Sequence, residues 1–297
     1  MPAARIGFTY STSVRSGSDA DYIADFLDER DPETGNWVHS TLIADKSRQL
    51  WLSWFCILRL DWIAQKDPLG ECLLISKTDS EGTKILKRIG ENHSCLPPIM
   101  KKALGLAGMG PRYYSVSRTG GIVRYTNGST VEALPQRGGD AARSHVPSAY
   151  LLDEAAFQEH FRQNWQAIRG TASDARTQGM VVTTAAPSFF QETIEDRQDG
   201  DMGGRAEVFH ESKGLTIWRN IKNRLWCARI HYTADPARRT AEWAEQAKEG
   251  MPMYQWRAEQ EIDYAARGGR VIFPQFDRES HQMKGSVKLS NCAASTR

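Results

Sequence analysis

Apolar and polar positions along this chain follow two periods, and each change of period marks an element. Residues 1–35 are polar and rich in Ser, Asp and Gly. They read as a loosely packed arm with one helix around Ala20–Glu29. An apolar, β-rich run follows at Trp37–Ala44, and Ser53–Gln65 carries apolar residues at helical spacing. Asp67-Pro68-Leu69-Gly70 is a turn, Cys72–Ser76 a short buried strand, and Thr78–Asn92 a further helix. Tyr113–Ser117, Ile122–Thr126 and Thr130–Leu134 predict three strands, separated by Gly120-Gly121 and Asn127-Gly128. Asn-Gly is the stronger signal, because a tight hairpin turn needs positive φ at both central residues. Tyr150–Leu152 and Met180–Thr184 are short apolar runs on either side of a helical stretch, Glu154–Ile168. Leu225–Tyr232 predicts a strand, and Thr240–Gly250 and Met253–Ala266 predict helices. Strands alternating with helices predict an α/β fold with a mostly parallel central sheet flanked by helices, joined by right-handed crossovers.

Composition narrows the class. The chain has 297 residues, 40% of them hydrophobic and 25% charged, which is the profile of a globular protein of one large domain or two smaller ones. Lys and Arg number 38 against 36 Asp and Glu, a formal net charge of +2. Bulk charge therefore excludes a histone-like grip on nucleic acid, and any such contact must come from a local patch. The most apolar stretch, Leu50–Ile63, is shorter than a membrane span and holds Arg59 and Asp61, so no membrane partner is expected. The opening residues lack the apolar segment of a secretory leader. Cys56, Cys72, Cys95, Cys227 and Cys292 show no CxxC spacing and read as buried or free thiols in a reducing compartment.

Three segments carry candidate chemistry. Tyr150-Leu151-Leu152-Asp153-Glu154 is an apolar strand ending in two carboxylates, which places them at the carboxyl edge of a parallel sheet. There Asp153 can hold Mg²⁺ and Glu154 can polarise an attacking water. The same pattern also serves as an ordinary helix cap with a first-turn acid. Upstream, no GxxxxGK[ST] phosphate loop exists. Between the first strand and the first long helix stands Lys46-Ser47-Arg48-Gln49-Leu50-Trp51-Leu52-Ser53. A phosphate cradle needs a cation, a helix N-terminus and a metal-binding hydroxyl, and Lys46, the helix start and Ser53 offer all three. From this segment alone, a plain strand–loop–helix connection with surface Lys and Arg is the favoured reading. Third, Val181-Val182-Thr183-Thr184 is an apolar strand ending in two hydroxyls, either placed to sense a terminal phosphate or satisfying neighbours in a buried strand. In order along the chain, the loop, the acidic pair and the Thr pair match the additional-strand class of P-loop motors, which keeps a catalytic Glu beside the magnesium Asp.

Lys46-Ser47-Arg48-Gln49-Leu50, with Ser53-Trp54, resembles the deviant Walker A segment of the large terminase subunit of tailed bacteriophages, in which a lysine opens the loop. Leu73–Ser76 before a helix, Thr126–Ser129 with Val131–Leu134, Leu151–Phe157 and Gly269–Asp277 fit the same family, so the resemblance spans residues 37–281. It implies a P-loop NTPase using ATP and Mg²⁺. Lys46, Ser47, Arg48, Gln49, Leu50, Trp51, Leu52 and Ser53 would form the ATP loop, with Arg48 a trigger or sensor. Ser53 and Asp153 would hold the metal, Glu154 would activate water, and Thr183 and Thr184 would couple hydrolysis to movement. Arg143 lies where the family presents an arginine finger to a neighbouring subunit, although a surface arginine reads as well there.

The departures are as informative. Trp51 replaces the second loop glycine and Leu52 a frequent lysine, which predicts a loop that wraps phosphate less closely. No adenine-contacting glutamine motif is found in residues 1–36, and residues 281–297 carry no Asp or Glu, so no nuclease centre is expected. The implied organisation is an arm (1–36), an ATPase core (37–235), a helical lid or linker (236–281) and a tail (282–297). The implied function is a motor module that drives double-stranded DNA into a procapsid in the host cytoplasm. Its partners would be the portal protein, the small terminase subunit and further copies in a ring. Lys84, Lys87, Arg88, Lys101, Lys102 and Arg112 form the densest basic stretch and are the candidates for DNA contact, against the ordinary reading of a solvated helix face. Two other functions stay open: a nucleotide-binding assembly module with little catalysis of its own, and a helicase-like translocase.

Overall fold

Six short apolar strands lie side by side in parallel, and their neighbours continue the sheet in antiparallel fashion at both ends. The computed structural model describes residues 18–99, 112–116, 120–136, 140–171, 176–198 and 201–267, all within a compact unit that ends at Arg267. The strands are β1 (Thr41–Lys46), β2 (Glu71–Ile75), β3 (Arg112–Val116), β4 (Gly120–Arg124), β5 (Thr130–Ala133), β6 (Ala149–Asp153), β7 (Gln178–Thr183), β8 (Arg197–Gln198), β9 (Asp201–Met202), β10 (Arg205–Glu211), β11 (Leu215–Asn220) and β12 (Trp226–Ile230). The large sheet runs β10-β11-β12-β1-β7-β6-β2-β5-β4-β3, with β8 and β9 forming a separate ribbon. Pairing is parallel from β12 to β5 and antiparallel outside that span.

The helices are α1 (Asp19–Asp28), α2 (Leu52–Lys66), α3 (Asp79–Cys95), α4 (Asp140–Arg143), α5 (Phe161–Thr171), α6 (Phe189–Ile194), α7 (Ala241–Lys248) and α8 (Met253–Glu259). They cover both faces, which is why the central strands are near-continuous apolar runs. Leu42, Ala44, Cys72, Leu74, Leu151, Met180 and Val182 point to one face and pack with α1, α2 and α3. Ile43, Leu73, Ile75, Tyr150, Leu152 and Val181 point to the other and pack with α5 and α6.

Residues 18–28 are more firmly held than a polar arm suggests. Ser18 and Asp21 form a capping box, and the helical spacing of Ile23, Phe26 and Leu27 buries all three in the main core. Arg59 of α2 ties this helix down through Asp28 at 2.5 Å, the Leu27 carbonyl at 2.9 Å and Gln178 at 2.7 Å. The predicted helix at Glu154–Ile168 is broken in two. A 3-10 turn, Ala155–Phe157, precedes α5 because Glu154 takes a left-handed conformation that no α-helix can include. Among the described residues, no helix is long and apolar enough to cross a membrane. Cys56, Cys72, Cys95 and Cys227 are free thiols. Cys292, the Gly269–Asp277 segment and the tail at 282–297 lie outside the described residues.

Candidate functional site

β7 separates β1 from β6, so the strand that leads into the Lys46–Ser53 loop and the acidic strand are not adjacent. Lys46 ends β1, Thr183 ends β7 and Asp153 ends β6, with Asp45 in register with Thr183 and Asp153 in register with Val182. Parallel pairing therefore brings three segments that are distant in sequence to one carboxyl edge, where α/β sheets bind ligands.

The loop from Lys46 to Ser53 turns on two non-glycine residues in the left-handed region, Gln49 at φ 63° and Trp51 at φ 59°. Trp51 is the N-cap of α2 and makes no side-chain cap. The backbone N–H groups of Trp54 and Phe55 bond back to the Trp51 carbonyl. Those of Gln49, Leu50, Trp51, Leu52 and Ser53 have no acceptor among the described residues. Two of the loop carbonyls are occupied: Arg238 donates to the Arg48 oxygen at 3.3 Å and to the Gln49 oxygen at 2.8 Å. A row of unpaired donors at a helix N-terminus is an anion nest. Trp51 lines the cleft described below and is 71% exposed, and its left-handed backbone costs about 1–2 kcal/mol.

Ser53 donates to Asp153 Oδ1 at 2.7 Å. Asp153 is only 4% exposed. Burial is the largest influence on its carboxyl, with Ser53 donation opposing and the nearby Glu154 charge adding, and together they push its pKa up to about 6. Lys46 Nζ stands 3.8 Å from Glu154 Oε1, with the lysine nearly buried and the glutamate partly open. Thr184 braces the same glutamate from the other oxygen, through its hydroxyl at 3.3 Å and its N–H at 3.5 Å. Thr183 accepts from the Ala156 N–H at 3.2 Å and donates to the Thr184 carbonyl at 3.0 Å. The Thr pair thus touches the acidic pair directly.

These groups line a cleft of about 590 Å³, together with Arg48, Ser76, Glu81, Lys84, Ile85, Arg88 and Arg238. The donor set is a hydroxyl and a carboxylate, both hard oxygens. Among the described residues no cluster of three or more His, Cys, Asp or Glu could hold a metal. Magnesium needs no such cluster: one or two protein oxygens suffice, with substrate oxygens and water completing the shell. The residues present fit that ion.

Arg48 lines the cleft, but its guanidinium is already engaged. It forms a two-pronged pair with Glu259 of α8, at 2.8 and 2.7 Å, and its N–H bonds the Glu259 carbonyl at 2.7 Å. Ser47 donates to the Gln260 carbonyl at 2.5 Å. Residues 236–267 are therefore bound directly to the loop. The sequence carried no local signal for Glu259, Gln260 or Arg238, because each acts across a long sequence separation. Arg143 ends α4, is exposed, and is not in the lining of its own chain's cleft. Two residues later His145 bonds Glu71 at the amino end of β2, so Arg143 lies on the crossover toward the opposite edge. Of the basic stretch, Lys84 and Arg88 line the cleft and Lys87 is exposed. Arg112 opens β3, at the end of the sheet. Lys101 and Lys102 lie outside the described residues.

No family model matches the chain, and no curated protein matches it in sequence. Solved structures do. The large terminase ATPase domain of Thermus phage P74-26 aligns with a TM-score of 0.52 at 17% identity, over 83% of this chain and 99% of that one. An arginine-to-alanine mutant of the same domain aligns with a TM-score of 0.51, also at 17% identity and over 83% and 99% of the two chains. A large terminase from a thermophilic bacteriophage in complex with ATP-gamma-S aligns at 0.49 and 11% identity, over 75% of this chain and 47% of that one. The chain has the P-loop NTPase fold of large terminase ATPase domains.

Proposed function

We propose that this chain is the ATP-hydrolysing motor module of a viral DNA-packaging machine. The observation that carries the nucleotide reading is the row of unpaired N–H groups from Gln49 to Ser53, lying beside Lys46 and the Ser53–Asp153 pair. Such a row satisfies the β- and γ-phosphates from the backbone, so the loop glycines are dispensable wherever the side chains turn outward. Lys46 supplies the cation from the start of the loop. Ser53 and Asp153 would hold Mg²⁺, which would offset negative charge on the transferring phosphoryl group. Glu154 orients the attacking water and accepts its proton. Thr184, bonded to Glu154, transmits a change at that carboxylate into β7. Arg143, which is exposed, is the residue we assign to a neighbour's cleft if copies assemble into a ring.

The packaging assignment draws on the likeness to a terminase ATPase domain. We propose double-stranded DNA, the portal protein and the small terminase subunit as its partners, and the procapsid portal in the host cytoplasm as the place of action. A docking module with little hydrolysis of its own is the second reading, favoured by Leu52, a buried leucine where a loop lysine is frequent. A phosphate-release assay on the isolated chain, with and without duplex DNA, separates them: DNA-stimulated turnover supports the motor, and none supports the docking module.

A further inference from the structure

Five cations and three carboxylates line the cleft, and most of the cations have an anion. Lys46 faces Glu154 at 3.8 Å, Arg48 is held by Glu259, and Arg238 pairs with Asp235 at 3.2 Å while capping the loop carbonyls. Lys84 and Arg88 of α3 differ, since neither has an ion-pair partner among the described residues. They lie one helical turn apart, which puts two like charges on one face and slightly destabilises the helix. Arg88 is nevertheless held in place: its guanidinium lies 4.8 Å from the centre of the Trp54 ring. Trp54 follows Ser53, so this stacking fixes a planar array of donors beside the metal-binding pair. The charge of Arg88 is felt at Asp153, where it favours the ionised carboxyl.

We propose that Lys84 and Arg88 bind the terminal phosphate of a nucleoside triphosphate and set the preference of the cleft for triphosphate over diphosphate. This rests on the nucleotide reading above and names residues that reading does not use. Lys46 enters from β1, and α3 follows β2 on the far side of β6, so the phosphate chain lies between two sources of positive charge. Leu52 leaves the loop without its second lysine, and the α3 pair supplies that charge from another element.

The test measures the affinity of the full chain for MgATP and for MgADP by calorimetry, in wild type, Lys84→Gln, Arg88→Gln and Arg88→Lys. Loss of a charge-assisted hydrogen bond predicts MgATP binding weakened roughly ten- to a hundredfold in Arg88→Gln. Lys84→Gln should weaken it by a smaller factor, and MgADP should change by less than about threefold. Arg88→Lys should recover part of the loss. Lys84 is exposed, so its variant keeps the test valid if Arg88→Gln melts early. Unchanged MgATP affinity in both Gln variants overturns the assignment, as does an equal loss for MgATP and MgADP. A flattened salt dependence of DNA binding with intact nucleotide affinity also overturns it and assigns the pair to DNA phosphates. Wild-type protein that binds no nucleotide removes the function and this assignment together.

Discussion

Replacing Asp153 by Asn should make the nucleotide-free chain more stable above pH 6, and by an amount that shrinks in acid. The carboxyl is buried, and its pKa is raised from 3.8 to about 6 chiefly by that burial. The folded chain therefore holds this proton more tightly than the unfolded chain does. Stability falls as pH rises between the two values and is flat above the upper one. The penalty is about 1 kcal/mol at pH 4.5 and about 3 kcal/mol at pH 8. Asparagine keeps an oxygen for the Ser53 hydroxyl and carries no charge to desolvate. Thermal melts of both proteins between pH 4.5 and 8 measure the difference, which should reach roughly 5 °C at the upper end for a chain of this size. Magnesium and nucleotide should reverse the order, because wild type alone gains a charged ligand for the ion. A difference that is constant with pH, or larger in acid, would refute the claim that desolvation dominates this carboxyl.

Three further outcomes follow from particular contacts. A methyl group added at Gly179 would sit 2.2 Å from the Tyr150 ring, which lies across β7 to meet Thr41 at 3.2 Å; Gly179→Ala should cost about 3 kcal/mol in a denaturant melt. Asp61 accepts from Tyr125 at 2.8 Å and Gln65 at 2.8 Å and contacts His93 at 3.1 Å. Asp61→Ala strips a buried acceptor from all three, and urea titration should show a loss of about 3 kcal/mol. Thr184→Val removes the hydroxyl that braces Glu154 and should lower turnover roughly tenfold with nucleotide affinity unchanged, read by phosphate release and calorimetry on the same sample.

Much of the sheet was legible because buried parallel strands are apolar on both faces. Cys72–Ser76 and Met180–Thr184 are short runs of that kind, and each is a strand within a residue or two of its predicted bounds. β10 was not legible, since as a terminal strand it is mostly exposed and polar and carries no alternation to read. β11 alternates only in part: Ile217 and Trp218 are successive residues and both are buried, which blurs the period of two. The break at Glu154 also escaped, because a left-handed carboxylate is a property of the site and has no signal in helix propensity.

At the cleft, order along the chain was informative where each residue type was not. The Lys46 loop, Asp153, Glu154 and the Thr pair meet because strand order is set by topology, and the motifs came from three strand ends. The left-handed backbone at Gln49 and Trp51 was invisible, since residue type at a non-glycine position gives no sign of a positive φ. Lys84 and Arg88 read as a surface run because helical charge patterns do not reveal what faces them. Glu259 gave no warning that it holds Arg48, because a buried acid at the end of an amphipathic helix looks like a solvated one.

The central claim is that this cleft binds MgATP and that Glu154 directs its hydrolysis. Phosphate release by wild type and Glu154→Gln, measured beside MgATP affinity and with duplex DNA present, tests it most directly. The account predicts that both proteins bind MgATP alike, that wild type turns it over, and that the variant is slower by about a hundredfold or more. Turnover by the variant at the wild-type rate would contradict the role of Glu154, and wild type that neither binds nor hydrolyses MgATP would contradict the account itself.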